Sequence, residues 1–448
     1  MKSAFSSWRY LWKSPDIRRK LLFTLGILVL YRMAANIPVP GVDFQALREF
    51  LSLATGTGSF LDFLNLLSGG TVLNFSLLSM GVYPYITAQI ILQLLVPIIP
   101  SLEQRIKDNP TEGRRWMERW TYYLAVPMAA LSAVGQINIF NSLAQQYIKK
   151  PVIVFGFNAE HWFSSLTVLI AMTAGTMFAI WLGELISEFG IRGQGLSLII
   201  FAGIVSQVPG NLVRIFRGDV QYRWILLLLT AVVILVTIYA IVYIQQGRRN
   251  IPVTYPGRRV GNRMTMPVRG TLPLMVNMAG MIPLIFASAI LQFPAIIASY
   301  FVKTPGDFAS QVQQIFSGNS ATYWILYFIM VVAFTFFYTD VLFTQQNYGE
   351  SLKRIGAQVQ GVARGEATQK YLLRVQRRIT LVGALFLGIV AILPFLIRLI
   401  FPAASQGAGL FLVSSAGLLI VVGVVRDTFM TIDAELKVHG YQESLLVR

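Results

Sequence analysis

The sequence contains no cysteine and only two histidines, His161 and His439, in 448 residues. Without cysteine the chain has no disulfides, thiolate metal sites or cysteine nucleophiles. The two histidines lie far apart, so the sequence predicts neither a metal site nor a cofactor. Charged residues are also scarce: they form 13% of the chain, whereas 55% is hydrophobic. A soluble domain carries about a quarter charged residues. The chain therefore lacks the polar surface that a protein of this length needs in water.

Motifs of nucleotide hydrolysis and of common hydrolases are also missing. No GxxxxGK[ST] phosphate loop occurs, and the sequence contains no Gly-Lys pair. The GxSxG elbow of serine hydrolases and the HExxH helix of metalloproteases are absent too. We therefore expect a protein that is not an enzyme and that takes its driving force from elsewhere.

Long stretches without Asp, Glu, Lys or Arg dominate what the sequence does contain. A helix needs about 20 apolar residues to cross the hydrocarbon core of a bilayer. Together with a shorter apolar segment at 21–37, these stretches predict an all-helical membrane protein with ten transmembrane helices. The stretches are 63–102, 120–148, 161–183, 193–213, 224–247, 270–302, 308–339, 379–397 and 399–425.

The first apolar run follows a basic segment and has no small-residue cleavage site, so we expect it to be kept as a span. The ten spans predict a cytoplasmic segment, two halves of five helices each, and a cytoplasmic tail. Their ranges are 1–20, 21–213, 222–432 and 433–448.

The stretch 63–102 is too long for one ordinary helix. Gly69 and Gly70 interrupt it, and glycine is unfavourable inside a helix. We expect a half-helix that ends near Leu67, then a turn, then a full span from about Ser76 to Val96. Non-helical backbone at membrane depth is tolerated only where protein or a cavity covers it. Asp62–Gly70 is therefore predicted to lie inside the molecule or along a cavity; the alternative is a structural hairpin without a further role.

The basic residues predict the orientation of the chain. The net charge is +17, and 28 of the 37 Lys and Arg residues fall on the side that holds both termini, against 8 on the other side. By the positive-inside rule, both termini are cytoplasmic. Two basic loops on that side, 246–270 and 344–378, are much longer than the roughly 2–8 residues that usually connect packed helices. Their length favours a docking surface, although their charge alone would also serve topology.

An internal repeat relates the second and seventh predicted helices. Residues 81–93 read GVYPYITAQIILQ, residues 280–292 read GMIPLIFASAILQ, and seven of the thirteen positions match. Helices five positions apart cross the membrane in opposite directions, which is typical of an inverted repeat; chance similarity is the alternative. Pro84 and Pro283 lie one turn into the two helices. We expect each proline to bend its helix, which would make the pair facing elements of a gate.

Two classes of function fit a protein of this kind, a channel and an ion-coupled transporter. Glu184, Glu188, Asp340 and Asp427 lie at the cytoplasmic ends of predicted spans, and the span centres hold no paired carboxylates. Proton coupling usually needs ionisable groups near the middle of the membrane, so this pattern favours a channel. Sodium coupling through the carbonyls of a broken helix keeps the transporter as the alternative.

Several motifs resemble those of one known family. The segment SLLSMGVYPYITAQIILQLL at 76–95 is similar, position by position, to the signature segment of the SecY family. The resemblance keeps its order from about residue 18 to residue 432. Further segments that carry it are PVPGVD at 38–43, FLNLLSGG at 63–70, LSLIIFAGIV at 196–205, LPLMVNMAGMIP at 272–283 and FFYTD at 336–340. The segment between Thr173 and Glu188 is close to the family's sequence as well.

This resemblance implies an hourglass pore between two pseudo-symmetric halves, and it assigns roles to residues of this chain. The expected plug half-helix, 60–70, contains Phe60, Leu64, Asn65, Leu67, Gly69 and Gly70. The expected aliphatic pore ring consists of Val82, Ile86, Ile200, Ile285 and Ile420. The expected lateral gate includes Pro84, Ala88, Gln93, Asn277, Pro283 and Ala287. The expected docking residues are Arg258, Arg259 and Arg364.

The same resemblance implies a function, partners and a location. The chain would be the channel subunit of the Sec translocon, which passes unfolded secretory proteins across the membrane and releases membrane segments sideways into lipid. Its expected partners are SecE, SecG, the SecA ATPase, the ribosome, signal sequences and unfolded polypeptides. The expected location is a bacterial plasma membrane rather than a thylakoid. Two segments depart from the family pattern: GIRGQG at 190–195 and GVARGE at 361–366.

Overall fold

The computed structural model describes residues 15–43, 45–47, 49, 75–96, 98–156, 162–217, 223–256, 259–260, 263–264, 268–301, 308–316, 320–400 and 415–438. The predicted plug at 60–70 and Arg258 lie outside the described residues. The chain divides into two compact units. Unit 1 comprises Met1–Ala231, Ile290–Tyr323 and Ile397–Arg448, and unit 2 comprises Val232–Ala289 and Trp324–Leu396.

Helices make up most of the described chain. In chain order they are α1 (Pro15–Ala34), α2 (Tyr83–Leu95), α3 (Pro100–Asp108), α4 (Pro110–Tyr147), α5 (Trp162–Phe189), α6 (Gly195–Arg217), α7 (Arg223–Gln246), α8 (Ile282–Phe301), α9 (Phe308–Phe316), α10 (Ala321–Gln346), α11 (Tyr348–Arg354), α12 (Glu366–Ile400) and α13 (Ser415–Val438).

Three of the described helical segments are long and apolar enough to cross a membrane: Trp162–Phe189, Ala321–Arg354 and Glu366–Leu393. A fourth candidate is the pair α2 and α3, which bend by 97° at a short break and form either a broken span or a re-entrant loop. The protein is therefore a membrane protein. The count of ten spans stays a prediction.

The second predicted span begins later than expected. We predicted a helix from about Ser76, but residues 75–82 form turns and α2 begins at Tyr83. The backbone explains the delay, because Phe75 and Gly81 both have positive φ, 43° and 54°. A positive φ is energetically unfavourable for residues other than glycine, and a right-handed helix does not continue through it. The segment before α2 is thus a connector rather than membrane-spanning helix.

The prediction that Pro84 and Pro283 bend their helices is wrong. Each proline is the second residue of its helix, α2 or α8. A proline in the first turn breaks no intrahelical hydrogen bond, because the first N–H groups of a helix have no partner in any case. The two repeat segments nevertheless share this local structure, since Gly81 and Gly280 precede the two helices with φ of 54° and 64°.

The expected all-helical fold is corrected by a small sheet in unit 2. Strands β1 (Arg248–Tyr255), β4 (Val268–Met275) and β5 (Gln358–Val359) form an antiparallel sheet in the order β4-β1-β5, and β2 (Arg259–Val260) pairs with β3 (Arg263–Met264). Residues 270–275, which we assigned to a span, belong to β4. The strands were not predicted because β1 and β4 contain prolines, at 252 and 273, and proline is rare in paired strands.

One end of unit 1 is held by a compact apolar cluster and a side-chain clamp. Phe75 packs edge-on against Phe140 of α4 at 4.9 Å between ring centroids, within a buried cluster that also includes Val42 and Ile153. Asn141 donates from Nδ2 to the Ile153 carbonyl at 2.8 Å and accepts from two N–H groups through Oδ1, those of Val152 at 3.0 Å and Ile153 at 3.1 Å. A single side chain thus fixes residues 152–153 to α4.

The same region joins the two sides of the predicted plug segment. The Val39 N–H donates to the Phe75 carbonyl at 3.1 Å, and the Leu77 N–H donates to the Ile37 carbonyl at 2.9 Å. Next to this pair, the Asp43 N–H donates to the Val152 carbonyl at 3.0 Å. The clamp at Asn141 therefore supports the backbone on both sides of residues 50–74.

Replacing Asn141 with alanine should lower stability, because three hydrogen bonds are lost and buried backbone groups are left unpaired. We expect a loss of about 1–3 kcal/mol, measured as a lower melting temperature of the detergent-solubilised protein. Asn36→Ala is the matched control, since Asn36 is exposed and makes one hydrogen bond, to the Arg32 carbonyl. Equal melting temperatures for the two variants would contradict the clamp.

Candidate functional site

The first candidate site is α2, which presents two distinct faces. Tyr85 and Ala88 pack inside unit 1 with Ala125 of α4 and Ile180 of α5. Gln89 is exposed, and Ile86 and Gln93 are half-buried. Residues three, four or seven apart lie on one helix face, so Ile86, Gln89 and Gln93 share a face that unit 1 does not cover. One face of α2 is anchored, and the other remains open to a different partner.

Predicted ring residues lie in apolar, largely buried positions. Val82 is 1% exposed, Ile200 4% and Ile420 1%, and Ile86 is half-buried. Ile200 lies on α6 and Ile420 on α13, and these two helices pack against each other. Ile285, in unit 2, is 5% exposed. Four of the five predicted positions are therefore buried aliphatic side chains, and Ile86 is half-buried.

Predicted gate residues near α8 have local roles in unit 2. Asn277 accepts from the Gly280 N–H at 2.9 Å and donates to the Gly280 carbonyl at 3.1 Å, so it holds the turn that precedes α8. Pro283 is buried in the first turn of α8. Ala287 is fully buried on the same helix. Pro84 and Ala88 are buried at corresponding places on α2.

The second candidate site joins the two long basic loops into one folded element. Val253 and Thr254 of β1 pair with Val359 and Gln358 of β5, so the sheet connects the loop at 246–270 with the loop at 344–378. We call the combination of β1, β4, β5, α11 and the first turns of α12 the platform. Its buried core contains Ile251, Val253, Leu274, Phe343, Leu352, Ala357, Val359 and Leu372.

Polar side chains lock the platform to the helices. Gln369 of α12 accepts from the Gly349 N–H at 2.8 Å and donates to the Phe343 carbonyl at 3.3 Å. Gln376 of α12 donates to the carbonyl of Met275, the last residue of β4, at 3.0 Å. A side chain at Gly349 would collide with the carbonyl of Gly365, so this glycine permits the close packing of α11 on α12. The platform is thus a rigid element.

Electrostatics leave the platform strongly positive. Its carboxylates are engaged: Glu350 pairs with Arg354 and Glu366 with Lys370. Within the described part of the platform, the exposed basic side chains that form no ion pair are Arg248, Arg249, Arg269, Lys353, Arg364, Arg374 and Arg378. An uncompensated basic surface attracts acidic partners over several ångströms.

Ion pairs also shift pKa values at the platform. Arg377 donates to both oxygens of Asp340, with contacts from 2.7 to 3.1 Å, and these bonds raise the pKa of the guanidinium. Lys370 hydrogen-bonds to Glu366 and lowers the pKa of that carboxyl. Burial raises the pKa of the Tyr348 hydroxyl.

Of the predicted docking residues, Arg364 is the best defined. It is exposed in a turn between Gly361 and Gly365, whose φ values are 77° and 87°. Arg259 lies in β2 and pairs with Met264 of β3. Both basic loops are evident from the sequence, but the sheet that unites them was not predicted. The alternation of buried Ile251 and Val253 with exposed neighbours was the signal that could have revealed β1.

The turn GIRGQG at 190–195 departs from the family pattern without disturbing the helices. Gly193 adopts a φ of 70°, and the Gly195 N–H donates to the Ser187 hydroxyl at 3.1 Å, so α6 begins at Gly195. Arg192 is exposed and lies 4.0 Å from Glu435 of α13, which also pairs with Lys20 at 2.8 Å. The turn absorbs the extra residue.

Comparisons with known proteins agree with this architecture. A model of the SecY family matches residues 76–429. Relatives named protein translocase subunit SecY include those of Streptomyces coelicolor, 36% identical over 440 residues with 96% of this chain and 97% of the relative covered, and of Aquifex aeolicus, 37% identical over 436 residues with 96% and 97% covered. The relative from Halalkalibacterium halodurans is 37% identical over 441 residues, with 95% and 96% covered.

Solved structures give the fold. One described as the structure of a protein conducting channel aligns with a TM-score of 0.59 at 19% identity, covering 93% of this chain and 92% of that chain. Another, whose description states that the plug domain of the SecY protein stabilises the closed state, aligns with a TM-score of 0.56 at 19% identity and the same coverage. The fold is thus that of a polytopic channel protein. The chain belongs to the SecY family.

Proposed function

We propose that this chain is the central channel subunit of a protein translocase. Its similarity to translocase subunits over 96% of its length is the observation that carries the proposal. Unfolded secretory proteins pass through it, and hydrophobic segments leave it sideways into lipid. The chain is a passive conduit and not an enzyme, so a partner supplies the energy.

The pore ring is proposed to consist of Val82, Ile86, Ile200, Ile285 and Ile420. Their aliphatic character and burial support this assignment. A polypeptide of any sequence must pass, so specific polar contacts would slow it. A narrow apolar constriction also resists wetting and thereby limits ion leak. A sideways exit lets an apolar segment partition into lipid through ordinary hydrophobic transfer.

The plug at 60–70 is proposed as a second barrier on one side of this ring. The backbone hydrogen bonds that join residues 37–39 to residues 75–77 support it, since they fix both sides of the intervening segment to unit 1. The lateral gate is proposed to lie along the open face of α2, the face with Ile86 and Gln93, and along α8. Ala88 anchors α2 from the opposite face.

The platform is proposed to dock the energy source, either a SecA ATPase or a translating ribosome. Two separate loops build one rigid, uncompensated basic surface, and this supports a docking role over a purely topological one. Subunits resembling SecE and SecG complete the channel, and SecE braces the two halves. The membrane is proposed to be a bacterial plasma membrane with both chain termini on the cytoplasmic side. We also propose that the chain has ten spans, arranged as two halves at 21–213 and 222–432.

Deleting Asp62–Gly70 tests the channel directly. We expect the purified chain in planar bilayers to conduct few ions, and conductance to rise strongly on deletion, because the apolar ring alone is a weaker barrier than ring and plug together. No conductance in either form, together with saturable uptake of a small solute, would instead favour an ion-coupled secondary transporter.

Polar substitutions in the ring should open a leak of their own. We expect Ile86→Ser combined with Ile285→Ser to raise resting ion conductance, because hydroxyl groups favour wetting of the constriction. The matched control is Ile170→Ser, an exposed aliphatic position on α5. A resting channel that stays as tight as the control after both ring changes would exclude these residues from the seal.

Charge reversal on the platform should weaken docking. We expect Arg364→Glu to reduce SecA binding to proteoliposomes about tenfold, because it replaces attraction for an acidic surface with repulsion. Arg19→Glu serves as the control, since Arg19 is equally exposed but lies on α1 in unit 1. A second variant, Arg259→Glu, is measured in the same way. If neither variant changes the binding of SecA or of ribosomes, the positive charge of the platform serves only to orient the chain in the membrane.

A further inference from the structure

A lysine lies on the buried face of α1. Ile17, Thr24 and Ile27 of this helix are buried. Residues three, four or seven apart share one helix face, so Lys20 belongs to the same face, and its side chain is 27% exposed. A charge in such a position is costly unless it is paired and hydrogen-bonded. The partner of Lys20 comes from the other end of the chain.

Glu435 of α13 supplies the opposite charge. Lys20 Nζ donates to Glu435 Oε1 at 2.8 Å, and the Glu435 side chain is 18% exposed. Arg192, in the turn between α5 and α6, approaches the same oxygen with its Nε at 4.0 Å, but its side chain is 75% exposed. Exposed ion pairs contribute little, whereas a short charge-assisted hydrogen bond is stronger. Of these two cations, Lys20 therefore makes the stronger contact with Glu435.

The same end of α1 is held against the turn between α5 and α6. The Thr24 hydroxyl donates to the Lys20 carbonyl at 2.9 Å. A side chain at Gly190 of the turn would collide with that hydroxyl, so this glycine permits the close contact. Phe23 also meets Phe189, the last residue of α5, edge-on at 6.0 Å between ring centroids. The backbone of α1 is therefore well positioned where Lys20 reaches toward α13.

Three helices of unit 1 meet through these contacts. α6 packs against both α1 and α13. Ile200 on α6 and Ile420 on α13 are two members of the proposed pore ring. Apolar packing is non-directional and tolerates small shifts along a helix axis, whereas a charge-assisted hydrogen bond requires its two atoms to stay about 2.7–2.9 Å apart. The pair between Lys20 and Glu435 therefore restricts how far α13 can slide along α1 and α6.

We propose that Lys20 and Glu435 form a clasp that sets the axial position of α13, and that both are positioning residues for the channel seal. Ile420 and Glu435 lie on the same uninterrupted helix, Ser415–Val438, about 22 Å apart at 1.5 Å per residue. Because a helix is stiff along its axis, a shift of α13 at Glu435 also moves Ile420 relative to Ile200. The inference rests on the proposed channel function.

A purely topological role of Lys20 makes a different prediction. Positive charge near the end of a first span helps to orient a membrane protein. If this were its whole purpose, Lys20→Met would behave like Arg19→Met, and Lys20→Glu would be harmful with or without a change at Glu435. If the clasp positions α13, reversal of both charges restores the contact. Charge reversal therefore separates the two roles.

The experiment measures resting ion conductance of the full-length chain in planar bilayers. We expect Lys20→Met and Glu435→Gln each to raise conductance about fivefold, the effect of losing one ion pair. The double variant should leak no more than either single variant, since both remove the same contact. Lys20→Glu combined with Glu435→Lys should return to the wild-type level, and Lys20→Arg should stay tight. If Lys20→Met does not fold, Lys20→Gln, which keeps a hydrogen-bond donor, replaces it.

A covalent link gives an independent rescue. The chain has no native cysteine, so two introduced thiols are the only ones present. Lys20→Cys combined with Glu435→Cys is expected to leak until a short thiol–thiol cross-linker joins the two positions, and then to become as tight as the wild type. A linker is used because cysteine is shorter than the lysine and the glutamate that it replaces. A cross-linked channel that still leaks would contradict the clasp.

Two controls match the single variants. Arg19→Met removes the same charge from the exposed neighbour of Lys20, and Glu188→Gln neutralises an exposed carboxylate at the end of α5. Both are expected to stay tight. Equal conductance of Lys20→Met and Arg19→Met would overturn the proposal, and so would a charge-reversed pair that leaks as much as the single variants.

The two proposals fail in distinguishable ways. If the chain lacking Asp62–Gly70 does not conduct ions, the channel function itself is overturned, and with it the inference that depends on it. If that deletion conducts but Lys20→Met and Glu435→Gln leave the full-length channel tight, the channel stands and only the clasp is lost.

Discussion

The absence of water from the hydrocarbon core is the constraint on which the rest of this structure depends. Backbone N–H and C=O groups there must be satisfied within the protein, which favours helices and moves irregular backbone to places covered by protein or water. The described chain follows this rule. Its longest apolar stretches are helical, and its sheet is built from the basic loops, where polar groups and arginines reach solvent. The exception is the turn before α2, which is covered by the cluster around Phe75.

That covered turn links local backbone chemistry to the proposed gate. Gly81 and Gly280 take the left-handed conformation that other residues avoid, and a proline then starts each following helix. The repeat in the sequence is therefore a repeat of helix starts rather than of helix bends. A helix that begins abruptly after a fixed turn has a defined rotation, so α2 can present one face to unit 1 and leave the face with Ile86 and Gln93 open.

The platform shows a second use of tertiary structure. Each basic loop alone would be a flexible, positively charged segment, and ordering such a segment on binding costs conformational entropy. The pairing of β1 with β5 already orders the two loops. The side chains of Gln369 and Gln376 add hydrogen bonds to backbone groups of Gly349 and Met275. Binding of a partner therefore does not have to order the loops. The carboxylates within the platform are already paired with cations, so the remaining arginines face outward without internal partners.

By itself the sequence determined the membrane class, the apolar segments, the repeated motif and the family. All of these follow from hydropathy and local motifs, which depend on neighbouring residues only. It did not determine where α2 begins, the role of Pro84 and Pro283, or the sheet of the platform. Those depend on backbone dihedrals and on pairing between residues such as Val253 and Val359, which lie far apart in the chain. The side-chain bonds of Gln369 likewise join α12 to the backbone of α10 and α11. Only the packed structure decides such contacts, because their partners are chosen by distance in space rather than along the sequence.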